Sequence, residues 1–407
     1  MSTVDDTPVV LLGSGLTALG VMRCFGRRGI EVYSAAEGLS HVRQSRWFRR
    51  APAPHDAPDP RTALARYLER LPFERAVLVP TADSWVRRVA HLNADIGARF
   101  PSTVSPLSVL ARLMDKQGLL HSLNAAKIPH PRTHRVTTRA DLERLPESAF
   151  QGAFLKPTDS ESFLNRYGVK ALHVRTRADA CQRLVDLQDR VTHLLLQEYI
   201  PGSPSNHYFI DGFIDRTGKT IARFARQRLR MFPADFGNST YMRSVALTEV
   251  ADAVESLDRL LAHVQYRGIF SAEFKLDDRD GLFKVLEVNV RPWWYVEFAA
   301  RCGVDVCYLA YQDALGSPTA PIATYRVGKR LLYPYNDYFG YRALRRRREL
   351  SLGGWLRSWI GSAQPVFRWN DPMPAVGEFW RFLVTRFRAR RPYRGPERRR
   401  SPRPDPD

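Results

Sequence analysis

Cysteine, lysine and long apolar runs are all scarce in this 407-residue chain. The four cysteines, Cys24, Cys181, Cys302 and Cys307, form no Cys-x-x-Cys pair, and such sparse use suits a reduced, cytoplasmic compartment. No apolar run reaches the roughly 20 residues that a membrane helix needs. Met1–Asp6 is polar and acidic, unlike a secretory leader. The ten histidines show neither His-x-His nor His-Glu-x-x-His spacing, which argues against zinc. Lysine supplies only eight of the 62 basic residues.

The hydrophobic content of 44% is enough for two or three domains with real cores. The net charge of +20 invites a nucleic-acid reading. Much of the excess, however, is arginine spread along the chain or concentrated at Arg345–Arg348 and beyond Arg386, and no zinc-finger, RNA-recognition or basic-zipper pattern accompanies it. Composition therefore points away from nucleic acid as the main partner.

The N-terminal pattern is strand, glycine turn, helix, strand. Pro8–Leu12 is apolar, Gly13-Ser14-Gly15 turns, Leu16–Arg28 has helical spacing, and Ile30–Tyr33 is again apolar. This is a βαβ start and implies a parallel sheet. Gly13, Gly15 and Ala18 fit the dinucleotide fingerprint, but Tyr33-Ser34-Ala35-Ala36 stands where the ribose-binding acid is expected. Two readings follow: an NAD-dependent oxidoreductase, or a glycine turn kept for close helix packing. Ala76–Val79 is a further buried strand and leads into Pro80-Thr81-Ala82-Asp83. Asp83 is either a helix N-terminal acid or a substrate contact.

Leu-Glu-Val-Asn-Val-Arg-Pro, residues 286–292, carries the densest chemistry. On a strand, Glu287 and Asn289 share one face while Val288 and Val290 face a core. The run Gly268–Leu276 precedes it across Asp277-Asp278-Arg279-Asp280-Gly281, a hairpin connection that brings Glu273 beside Glu287. Two carboxylates and an amide oxygen suit Mg²⁺ or Mn²⁺ held on a nucleotide's phosphates. The bland alternative is an amphipathic hairpin with exposed acids.

Upstream, Lys116 opens a short helix and Lys156 ends the strand Gly152–Lys156. Leu194–Glu198 is a strand followed by Tyr199-Ile200-Pro201-Gly202. His207–Ile214 and Thr220–Arg228 form a hairpin. Arg223, Arg226, Arg228 and Arg230 crowd its second strand, either as anion ligands or as a solvated basic face. Val250–Val264 and Val304–Leu315 read as helices.

Taken in this order, the elements resemble the ATP-grasp superfamily, and among its members most resemble carboxylate–amine ligases related to D-aspartate ligases and carbamoyl-phosphate-synthase-like enzymes. The resemblance covers residues 8–315, about three quarters of the chain. It implies a mixed α/β and α+β fold. A Rossmann-like pre-ATP-grasp domain would span residues 1–105, and a two-lobed ATP-grasp fold residues 106–315, with the nucleotide lobe at about 125–200. An aromatic, basic C-terminal extension would follow over 316–385, then a disordered tail over 386–407.

The resemblance also implies roles. Lys116 and Lys156 would reach the phosphates of ATP, and Gln197, Glu198, Tyr199 and Ile200 the adenine edge. Asn206 would meet the ribose and Arg228 a phosphate or carboxylate. Glu273, Glu287 and Asn289 would hold the metal, and Lys156 and Arg291 would stabilise developing charge. The implied activity is ATP-dependent amide formation between a small-molecule carboxylate and an amine, through an acyl phosphate. A homodimer is left open.

Two departures stand out. The loop Pro157–Gly168 is serine-bearing but glycine-poor where the family has a glycine-rich phosphate loop, and Ser203-Pro204-Ser205-Asn206 replaces the usual ribose-binding acid. A non-catalytic ATP-binding scaffold that keeps an ATP-grasp shell is therefore the main alternative. The basic aromatic stretch after Gly316 suits either packing against the preceding domain or weak contact with an anionic membrane or acidic partner.

Overall fold

A computed structural model describes residues 6–35, 41–157, 171–187, 194–233 and 237–389. The serine-bearing loop beyond Pro157 and the tail from residue 390 lie outside the described residues. Among the described residues the strands form three sheets.

The first sheet is parallel, in the order β3 (Arg49–Arg50), β2 (Val32–Ser34), β1 (Val9–Leu12), β4 (Val77–Pro80). All four β1 residues are buried, as a strand covered on both faces requires. The Gly15–Gly26 helix follows β1 and buries ten consecutive residues, Leu16–Phe25. The glycine turn between them has a packing cause. Gly13 has φ +131°, and a Cβ there would lie 2.0 Å from Thr81 Oγ1 at the end of β4. The turn is tight because two strand ends meet at it.

A small antiparallel sheet runs β5 (Thr133–Val136), β8 (Leu194–Glu198), β6 (Ala153–Pro157), β7 (Leu172–Val174). One face packs on the Arg139–Glu143 and Arg177–Leu187 helices through Leu142, Ala180 and Leu184. The other face is left for the cleft.

The central sheet has six strands: β13 (Phe283–Asn289), β12 (Gly268–Leu276), β9 (His207–Ile214), β10 (Thr220–Phe232), β11 (Asn238–Val245) and β14 (Arg330–Leu332). All of its pairings are antiparallel. The hairpin register sets Glu273 opposite Glu287 and Ser271 opposite Asn289. One apolar cluster joins the first unit to this sheet: Leu19, Met22 and Phe25 share a core with Phe213, Phe224, Phe298 and Tyr311.

Two strands of the central sheet escape the sequence pattern. Asn238–Val245 is polar enough to read as loop, and Arg330–Leu332 belongs to the stretch after Gly316. That stretch is also fastened by buried charge. Asp337, fully buried, accepts both Arg230 Nε and Nη2, at 2.9 and 2.7 Å, together with Thr240 Oγ1 and Trp355 Nε1. Asp371 accepts Arg23 Nε at 2.9 Å and Ser45 Oγ at 2.9 Å, and Arg23 also donates to the carbonyls of Pro365 and Val366.

Candidate active site

A cleft of about 240 Å³ opens between the small sheet and the central sheet. The small sheet contributes Phe154, Lys156, Gln197 and Glu198 to its lining; the central sheet contributes His207, Arg228, Glu273 and Glu287. Residues more than a hundred positions apart thus meet on two facing sheets.

The hairpin builds the floor. Val288 and Val290 are buried at 3% and 5% exposure, which turns Glu287 and Asn289 the other way, as period-two alternation requires. The two glutamates differ in state. Glu273 accepts a hydrogen bond from His207 Nδ1 at 2.8 Å and pairs with Arg228 Nη2 at 3.0 Å. Burial alone would raise its pKa, but Arg228 first and His207 second outweigh burial and hold the carboxyl at about 2. Glu287 is open to solvent yet surrounded by protein on the cleft floor. Its pKa is raised, first by lost hydration and then by the charge of Glu273, with Lys156 opposing both. Lys156 is lowered by burial, with Glu287 and Glu273 opposing.

This donor set fits a divalent cation. Glu273 and Glu287 bring two carboxylates, both hard oxygen donors, side by side on the cleft floor, with Lys156 and Arg228 opposing their charge. Asn289, two residues along the same strand from Glu287, is not part of the cleft lining, and its Oδ1 accepts Arg291 Nη2 at 3.2 Å.

Arg291 is oriented from the first unit. Its Nε donates to Asp83 Oδ1 at 2.6 Å, and its Nη1 donates to the Pro292 carbonyl. Asp83 is at once the first residue of the Asp83–Ala90 helix and the partner of Arg291. The helix N-terminal position is one of the two readings the sequence offers for Asp83; the pairing with Arg291 is neither.

The remaining expected residues divide. Lys116 donates to the carbonyl of Pro157, at the end of the strand that carries Lys156. Tyr199 and Ile200 line the cleft. The Gln197 side chain turns to Thr133 Oγ1 on β5. The Glu198 carboxylate is occupied by Arg279 at 2.7 Å and Arg132 at 3.3 Å, and these bonds hold its pKa down against a desolvation that would raise it. Asn206 holds its own loop: its Nδ2 donates to Leu276 O and Asp278 Oδ1, and its Oδ1 accepts from Ser203. That loop is tight at Gly202, where φ is +107° and a Cβ would meet Asn206 Nδ2 at 2.6 Å.

The arginines of β10 correct the basic-face alternative. Arg226 and Arg228 are each 4% exposed, and Arg226 pairs with buried Asp211 at 2.7 Å beneath the Phe209 ring. Arg223 pairs with Asp258 and Arg230 with Asp337. Each has a carboxylate partner from another element; the pairs of Arg226, Arg228 and Arg230 are buried and are not a solvated surface, while the Arg223–Asp258 pair is half-exposed. Sequence reading missed His207 and Lys275. They face each other across β9 and β12 in the same register, and Lys275 Nζ lies 4.8 Å from the Tyr199 ring. Extending the hairpin by one strand would have found them.

No family model matches the chain. Over 323 residues it is 21% identical to D-aspartate ligase of Enterococcus faecium (strain Aus0004), which covers 75% of this chain and 76% of that protein. Among solved structures, an L-amino acid ligase from Bacillus licheniformis superposes with a TM-score of 0.55 at 15% identity, covering 78% of this chain and 76% of that one. N5-carboxyaminoimidazole synthetase from Staphylococcus aureus, complexed with ADP, superposes with a TM-score of 0.59 at 12% identity, covering 86% and 90%. The chain resembles D-aspartate ligase in sequence and has the fold of the ATP-grasp ligases.

Proposed function

We propose that the protein is an ATP-dependent carboxylate–amine ligase. The observation that carries this reading is the register of β12 on β13, which sets Glu273 beside Glu287 on the cleft floor with Lys156 facing them. In this reading the parallel-sheet unit, residues 1–105, is the Rossmann-like pre-ATP-grasp domain, and residues 106–315 are the two-lobed grasp.

ATP occupies the cleft between the sheets. The backbone of Glu198–Ile200 meets the adenine edge, since the Glu198 carboxylate is already bound. Lys156 and Lys116 meet the phosphates as compact ammonium groups, and Arg228, held beside Glu273, adds a fixed positive charge at the same end of the cleft. Glu287, Glu273 and Asn289 would hold Mg²⁺, which neutralises phosphate charge when bound.

The γ-phosphoryl passes to an oxygen of the substrate carboxylate, and ADP leaves. The amine nitrogen then forms the C–N bond as the C–O bond to phosphate breaks, releasing phosphate and a proton. Arg291 faces the charge that develops on this carbonyl, and Asp83 keeps its guanidinium in place. The facing sheets exclude water, to which an acyl phosphate would otherwise be lost.

Amino acids are the first substrate candidates, as carboxylate or as amine, because two of the similar proteins are named as ligases of amino acids. The NAD reading loses its main support, because the Gly13 turn is accounted for by Thr81. The experiment is a screen of amino acids against carboxylates for ADP and phosphate release. The reading expects release that depends on both substrates and is lost in Glu287→Ala. ATP binding without turnover across the screen would favour the scaffold, and full activity in Glu287→Ala would overturn the metal assignment.

A further inference from the structure

Two helices after Gly316 carry apolar side chains on the face turned away from the protein. The inward side of the Leu352–Trp359 helix is already filled: Ser358 is buried and its Oγ accepts Arg230 Nη2 at 2.8 Å, and Trp355 stacks on Tyr341 while its Nε1 donates to Asp337. The outward positions Leu352, Leu356 and Ile360 repeat every four residues, and Ile360 is 74% exposed. In the Met373–Ala389 helix the inward positions are Ala375, packed on the core, Gly377, against Gln44, Glu378, which accepts the Tyr333 hydroxyl, and Phe382, against Tyr335 and Phe339. Its outward positions Met373, Val376 and Trp380 are apolar, and Trp380 is 67% exposed. Between the helices Trp369 is 90% exposed.

The inner side of this segment is thus satisfied by its own contacts, while Leu352, Leu356, Ile360, Trp369, Met373, Val376 and Trp380 face away from the protein with nothing covering them among the described residues. Water gives no reason to hold that arrangement, and an apolar outer face marks an interaction surface. Charge identifies the occupant. Arg342 and Arg345–Arg348 precede the first helix, and from residue 381 to 407 the sequence has ten arginines against three acids. No described helix is long and apolar enough to cross a bilayer.

We propose that residues 352–380 form a docking surface for an anionic lipid bilayer, with the apolar side chains in the interface and the flanking arginines on the headgroups. Tryptophan suits that interface, having an apolar ring and one polar N–H. Arginines beside the membrane add attraction that scales with their number. A second copy of the chain fits poorly, because a symmetric contact through this face would set the two arginine-rich flanks against each other. Duplex nucleic acid would satisfy the arginines but leave the aliphatic stripe in water. This inference goes beyond the ligase reading and does not depend on it.

The test is co-sedimentation of the full chain with vesicles of equal parts phosphatidylglycerol and phosphatidylcholine, and with phosphatidylcholine alone. We expect partition onto the anionic vesicles only. The double substitution Trp369→Ser with Trp380→Ser should lower it roughly tenfold or more, with an unchanged unfolding midpoint, since both residues are exposed. Leu356→Asn with Ile360→Asn, read the same way, replaces that variant should it fail to fold. The proposal is overturned if the wild type stays in the supernatant, if it binds both vesicles equally, or if the folded variants bind like the wild type. A wild-type dimer that the variants dissolve, without vesicle binding, would assign the face to a second copy. Retention by a duplex oligonucleotide but not by vesicles would assign it to nucleic acid; either result overturns the proposal.

Discussion

Glu287→Gln separates stability from activity at the proposed metal site. Among the described residues Glu287 is held by no ion pair, and its charge sits on the cleft floor beside the ionised Glu273. Its raised pKa means that ionised Glu287 makes the folded protein less stable than it would otherwise be. Glutamine keeps the shape and removes that charge, so the unfolding midpoint of the ligand-free protein should hold or rise at neutral pH. Activity should move the other way. Losing one preorganised charged group at a site of developing charge typically costs at least ~100-fold in rate, about 2.7 kcal/mol. Glu273→Gln is the control. It leaves Arg228 buried without its carboxylate, so it should lose activity and also destabilise by ~3–5 kcal/mol.

The assay is ADP release with saturating substrates beside urea unfolding of the same preparations. A Glu287→Gln protein that is destabilised as much as Glu273→Gln would show that Glu287 is a structural acid. One that is active within about twofold of wild type would remove it from the ATP site altogether.

Further outcomes follow from contacts elsewhere. Asp337→Ala leaves Arg230 buried and unpaired and should cost ~3–5 kcal/mol in urea unfolding, and a loss under about 1 kcal/mol would contradict the anchoring role given to Asp337. Asp83→Asn removes the partner that orients Arg291, so turnover should fall by ~10–100-fold with the ATP KM nearly unchanged; a change confined to that KM would place Arg291 on the nucleotide instead. Glu378 is pushed up to about 7, first by burial, with the Tyr333 hydroxyl opposing. Because its pKa in the fold is above the ordinary 4.5, the stability it confers is full below that value and lost as pH rises through about 7. Glu378→Gln should therefore be more stable than wild type at pH above about 7, by on the order of 1–3 kcal/mol, and show no such gain at low pH, read from urea midpoints across the range.

What the sequence discloses depends on whether a pattern is local. Period two along residues 286–290 places Glu287 and Asn289 together without help from other elements, and a five-residue turn brings Glu273 across from them. Lys156 at a strand end and the glycine turn at Gly13 are legible for the same reason. Partners set by distant segments are not. The faces of β10 are readable, but which face is buried depends on Asp211 from β9 and on Asp337 from beyond residue 330. β11 forms because β10 offers an edge that it covers, and β14 because β11 offers the next, not because Asn-Ser-Thr-Tyr or Arg-Leu-Leu favours a strand strongly. The helices after Gly316 are the extreme case. Leu352, Leu356 and Ile360 at four-residue spacing give the same helical pattern whether the stripe points in or out, and periodicity carries no sign. The sign comes from buried charged groups elsewhere. Asp337 accepts Trp355 Nε1, Arg230 Nη2 donates to Ser358 Oγ, and once Trp355 and Ser358 turn inward the aliphatic stripe has only the outside left. The outward stripe is thus fixed by the same buried charges that hold the segment to the central sheet. Removing Asp337 should loosen both together, so Asp337→Ala should weaken vesicle binding although Asp337 itself is fully buried.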